Sequence, residues 1–83
     1  MSVEERIRDF ILDNYIFSDD QTALRNNDSF LNKGIIDSTG VMEIILFLDQ
    51  EFGIHVEDDE IVPENLDSVA NIAAYIKRKQ ASN

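Results

Sequence analysis

Nowhere among its 83 residues does this chain carry a cysteine. That absence removes a disulfide framework, a cysteine-based zinc site and a cysteine nucleophile together, so any thiol the protein uses must be supplied from outside. A chain this short supports one core only, near the lower limit of what stays folded without such staples. A single domain over residues 1–83, built as a small helical bundle, is the economical solution.

The apolar pattern agrees. Val3, Ile7, Phe10, Ile11 and, off the period, Tyr15 are separated by charged residues, which predicts helix 1 from Val3 to about Phe17. Ser18 to Lys33 is rich in Asp, Asn and Ser and reads as a long loop pinned by Leu24, Phe30 and Leu31. Helix 2 is predicted from Ser38 to Phe52, opened by the capping oxygens of Asp37 and Ser38 and stopped by Gly53. Ile54, His55 and Val56 form an extended link, Asp58 to Val62 holds one helical turn, and Pro63 ends it. Asp67 or Ser68 then caps a last helix to about Lys79, buried through Val69, Ile72, Ala73 and Ile76, with Gln80 to Asn83 frayed. The predicted class is all-α, with three main helices, one short helix and a long loop between helices 1 and 2.

Charge narrows the partners. With 17 acidic against 7 basic residues the formal net charge is -10, and no Lys or Arg occurs between Gly34 and Ile76. Such a field repels nucleic acid and anionic lipid and attracts electropositive proteins. No apolar run approaches the roughly 20 residues a membrane span requires, and the start has no signal-peptide pattern, so the expectation is a cytoplasmic protein.

Helix 2 is the informative element because its apolar residues do not fit one face. At about 100° per residue, Val41, Ile44, Ile45, Leu48 and Phe52 form a core stripe, while Met42 and Leu46 point elsewhere. These two are covered by neighbouring loops or form a docking strip flanked by Glu43, Asp49 and Glu51. Ser38 stands where the helix dipole favours negative charge, so a phosphate ester on its hydroxyl is tolerated; an Asp-Ser pair by itself is a plain cap.

The run Asp28-Ser29-Phe30-Leu31-Asn32-Lys33-Gly34-Ile35-Ile36-Asp37-Ser38, then Glu43-Ile44-Ile45 and Glu51-Phe52-Gly53-Ile54-His55-Val56, resembles the acyl carrier protein family. The likeness continues through Leu66, Ser68, Val69, Ile72, Tyr75 and Ile76, nearly the whole chain. It implies a non-catalytic carrier. A phosphopantetheinyl transferase would use coenzyme A and magnesium to attach 4'-phosphopantetheine to Ser38, with Asp37 assisting, and the arm's thiol would hold cargo as a thioester. It also implies visits to an acyl- or aminoacyl-activating ligase and to acyl-processing or acyl-transfer enzymes of fatty acid biosynthesis or secondary metabolism, and a monomer suits a protein that must offer one face to many partners. Their basic surfaces would meet Glu43, Asp49 and Glu51, with Met42 and Leu46 making apolar contact beside Thr39.

Thr39 and Gly40 depart from the family, which usually has Leu after the serine and a polar helix former next. Gly40 is expected to weaken the first turn by up to about 1 kcal/mol relative to Ala. A Met-Gly pair at this place is familiar in carriers of D-alanine, so an aminoacyl cargo stays open beside an acyl one. The alternative function is an unmodified acidic adaptor binding a basic protein through helix 2. A hydrolase with Ser38 as nucleophile is a poor fit, because His55 is the sole candidate base and alternation turns it outward. The Glu57-Asp58-Asp59-Glu60 run lacks calcium-loop spacing, so no metal site is predicted. Phe47 is expected to pack against the short third helix.

Overall fold

Ser2 starts the first helix by accepting the Glu5 N–H on its Oγ at 3.1 Å, satisfying one of the free donors of the opening turn. In this computed structural model, residues 2–18 and 20–81 are described, Gln21 and Ser38 through their backbone alone. Helix α1 spans Val3–Ile11 and continues as one π-helical turn, Leu12–Ile16. Phe17 ends it in the left-handed conformation (φ 59°), its N–H donating to the Leu12 carbonyl. The helix therefore stops one residue before the predicted end. The wider turn also accounts for Tyr15 falling off the 3.6-residue period.

The long loop carries one 3-10 turn, Gln21–Ala23, opened by Asp20, whose Oδ1 accepts the Thr22 N–H at 2.9 Å. Leu24 and Phe30 anchor it at 1% exposure each, but Leu31 is 50% exposed and is no anchor. Its hold comes instead from Asp67, whose carboxylate accepts the Leu31 N–H at 3.0 Å and the Ser29 hydroxyl. The Asp67 carbonyl accepts the Phe30 N–H at 2.8 Å. Asp67 thus clasps the loop, and the cap of the last helix is Ser68, with Oγ 3.0 Å from the Asn71 N–H.

Helix α2 spans Ser38–Phe52 as predicted, with Asp37 as its cap and Gly53 (φ 65°) as its stop. Ile44 and Leu48 are fully buried, whereas Val41, Ile45 and Phe52 pack at the core's edge. Phe47 is half-buried and turns toward α1. It stacks on Phe10 of α1 with ring centroids 4.2 Å apart, because a phenyl this near the edge of the stripe meets the neighbouring helix first.

After α2 comes a 3-10 turn, Asp58–Glu60, and then a separate helix α3, Pro63–Leu66. Pro63 begins α3 instead of ending a turn, since the first helical position needs no N–H and favours proline's fixed φ. Helix α4 spans Val69–Ala81, longer than predicted, and lays Val69, Ile72, Ala73, Tyr75 and Ile76 in the core against α1 and α3. Gln80 is helical, not frayed, and Ser82 and Asn83 lie outside the described residues. Full burial of side chains such as Ile72 and Leu48 contributes about 1.5 to 3 kcal/mol each, which outweighs any single helix-propensity loss. Among the described residues no helix is long and apolar enough to cross a membrane.

Two tyrosines bring their hydroxyls from this core close to acidic side chains. Tyr75 donates its hydroxyl to Glu60 Oε1 at 3.0 Å. Burial, then the neighbouring Glu60 carboxylate, pushes its pKa from 10.0 to about 12. Burial, then Glu43 and Asp37, does the same to Tyr15, also to about 12. A pKa raised on folding adds stability that is complete below the unfolded value and is lost as pH rises through the folded one. The urea midpoint should therefore hold steady up to about pH 9 and fall between about pH 10 and 12, with tyrosinate absorbance appearing late in that window.

Candidate functional site

The site is the junction of the long loop with α2. Asp37 is extended (φ -101°, ψ -171°), and its Oδ1 accepts the Gly40 N–H at 3.0 Å while its carbonyl accepts the Val41 N–H at 3.1 Å. Ser38 is consequently the first helical residue and not the cap. It lies at the positive end of the α2 dipole, between Asp37 and Thr39, both exposed. Its side chain lies outside the described residues.

Gly40 has a reason to be glycine that propensity does not reveal. A Cβ here would come within 2.4 Å of Ile36 Cγ2 and 3.4 Å of Tyr15 Cε1. The loop and the π turn of α1 therefore close against the first turn of α2 through the gap that glycine leaves. Tyr15 is the residue missed in the sequence, and its place off the helical period was the trace it left. Among the described residues its buried hydroxyl has no partner at hydrogen-bonding geometry, and burial, then the field of Glu43 and Asp37, accounts for its high pKa.

An apolar groove of about 380 Å³ opens beside this turn, walled by Phe30, Leu31, Ile36, Val41, Met42, Ile61, Val62, Pro63 and Leu66. Its polar rim is Asp67. Exposed Leu31 thus finds its role as a lip of the groove.

Along α2, Met42 and Leu46 are 59% and 55% exposed, with Glu43 and Asp49 exposed beside them. The neighbouring loops leave this strip uncovered. A shallow hollow continues it across Ile45 and Asp49 to Ile54, His55 and Val56. His55 is exposed, 3.7 Å from Glu57. Glu51 differs from Glu43 and Asp49: it pairs with Arg6, whose guanidinium also sits 4.6 Å above the Phe52 ring. Both partners of this pair stay substantially exposed, so it is a weak surface ion pair.

No protein-family model matches the chain. Individual relatives do. The acyl carrier protein of Lactobacillus acidophilus is 39% identical, with 96% of this chain and 99% of that protein covered. An acyl carrier protein of Nitratidesulfovibrio vulgaris is 35% identical over 96% of this chain and all (100%) of its own length. Among solved structures, the holo acyl carrier protein of Nitrosomonas europaea superposes with a TM-score of 0.78, covering 98% of this chain and 99% of that one at 23% identity, which shows a shared fold. With relatives this similar over their whole length, the chain belongs to the acyl carrier protein family.

Proposed function

We propose that this protein carries acyl groups as thioesters of a 4'-phosphopantetheine arm on Ser38, acting as a monomer that presents one face to several enzymes. In the loading step the Ser38 hydroxyl oxygen bonds to the β-phosphorus of coenzyme A, the pyrophosphate P–O bond breaks, and adenosine 3',5'-bisphosphate leaves. The serine proton passes to a base on the transferase. The exposed flanks of Ser38 and the dipole of α2 suit both the enzyme's approach and the resulting phosphodiester. Once attached, the arm supplies the thiol that a cysteine-free chain lacks. Asp37 holds the turn in register by capping it. Met42 and Leu46 give apolar contact to a partner, and Glu43, Asp49 and Glu51 steer its basic surface. Screened contacts of this kind release quickly, as a shuttle requires.

The observation that carries an acyl cargo over an aminoacyl one is the apolar groove, whose walls Ile36, Val41 and Met42 lie within one helical turn of Ser38. A charged α-ammonium gains nothing from such a lining, whereas an alkyl chain gains about 0.8 kcal/mol per methylene buried. The test is to prepare holo protein carrying either a hexanoyl or a D-alanyl thioester and to follow the methyl resonances of Ile36, Val41 and Ile61 by NMR. Hexanoyl should shift all three and D-alanyl none. Equal, small shifts from both would overturn the acyl preference, and failure of any transferase to modify the folded protein would favour an unmodified acidic adaptor.

A further inference from the structure

Glu60 stands immediately before three consecutive residues of the groove wall, Ile61, Val62 and Pro63. One oxygen of its carboxylate, Oε1, accepts three hydrogen bonds: the Tyr75 hydroxyl at 3.0 Å, Lys79 Nζ at 3.0 Å and the Glu57 N–H at 2.9 Å. The first two come from α4, and Tyr75 is itself anchored in the core at 1% exposure. The Glu60 carbonyl accepts Asn65 Nδ2 at 2.9 Å, and Asn65 Oδ1 in turn accepts from Arg78 at 2.6 Å. Arg78 also reaches the Tyr75 ring, 5.9 Å from its centroid.

The wall that follows is thin. Ile61 and Val62 are half-buried and Pro63 is exposed, and the amides of Ile61 and Val62 bond only short distances along the chain, to the Asp58 and Glu60 carbonyls. A second tie to α4, Asn71 Nδ2 to the Pro63 carbonyl at 3.2 Å, holds the far end. Ile61 packs against the core only in part, so the position of the segment depends on the polar bonds at its ends as well as on packing.

We propose that Glu60, Tyr75 and Lys79 form a latch that sets the position of the Ile61–Pro63 wall and so the width of the groove. They are positioning residues: none lines the groove, and each acts through the wall. That the groove's occupant is an acyl chain rests on the function proposed above; the latch itself does not.

The experiment is amide hydrogen exchange on the folded full chain, comparing wild type with Glu60→Ala and Tyr75→Phe, the latter keeping the ring that fills the core. Exchange at Ile61 and Val62 should quicken about tenfold or more in both variants, as expected for losing hydrogen bonds to a charged group. The core amide of Ile72, bonded to the Ser68 carbonyl at 3.0 Å, should be unchanged. Equal acceleration at Ile72 would mean general destabilisation and overturn the proposal, as would unchanged exchange at Ile61 and Val62. A parallel measurement on the hexanoyl-loaded holo protein separates the two ideas. Unaltered exchange at Ile61 and Val62 on loading counts against the acyl reading alone, while the variants decide the latch.

Discussion

Ser38→Ala is expected to abolish the gain of a phosphopantetheine-sized mass on incubation with coenzyme A, magnesium and a transferase, while leaving the unfolding midpoint almost unchanged. The second half of that expectation comes from the geometry at the start of α2. Had Ser38 been the cap, its removal would have cost about 0.5 to 2 kcal/mol. The capping oxygen belongs to Asp37, through its bond to the Gly40 N–H, and Ser38 occupies the first helical position. There alanine is a good helix former, so the change in stability should stay within about 0.5 kcal/mol. Asp37→Ala provides the converse: about 1 kcal/mol lost in urea denaturation and a slower but surviving modification. A mass gain that persisted in Ser38→Ala would exclude Ser38 as the attachment point.

The boundaries of α2 were legible in the sequence because both are set by local chemistry. An Asp can satisfy free amides from the cap position, and a glycine can take the left-handed conformation that stops a helix, whatever surrounds them. The exposure of Met42 and Leu46 was legible too, since their projection away from Ile44 and Leu48 follows from helical geometry alone. What escaped the sequence depended on distant partners. Leu31 reads as an anchor until Asp67, 36 residues later in the chain, is seen to do the holding. The ion pair of Glu51 with Arg6, 45 residues earlier, likewise could not be read from helix 2 alone. Pro63 carries the same local preference as a terminator or as a first helical residue, and the distinction requires knowing that Leu66 must reach the core. A propensity scale values Gly40 by its backbone entropy and is blind to the loop side chain lying over it.

That side chain makes Gly40 the most sensitive position near the site. Gly40→Ala gains up to about 1 kcal/mol in helix propensity. The added methyl must also displace Ile36 Cγ2, which would lie 2.4 Å away, and Ile36 is itself buried at 4% exposure. Overpacking of this kind costs about 1 to 3 kcal/mol, so the alanine variant should be destabilised despite the better helix former. Gly40→Val, which adds branches toward Tyr15 as well and loses most of the propensity gain, should cost about 3 kcal/mol or more. A double-mutant cycle identifies the cause. Ile36→Ala alone should cost about 2 to 4 kcal/mol for the cavity it leaves. Combined with Gly40→Ala it should cost less than the sum by about 1 kcal/mol, because the two changes relieve one another. Strict additivity would mean that Ile36 is not what excludes a side chain at position 40. Since Ile36 also walls the apolar groove, the methyl that unsettles the fold should also push that wall inward. Holo Gly40→Ala should then bury a hexanoyl chain less completely than wild type, seen as smaller chain-induced shifts at Val41 and Ile61. Glycine at this position, a weakness when read from the helix alone, is what lets the loop close over the turn that bears Ser38 and still leave the groove open beside it.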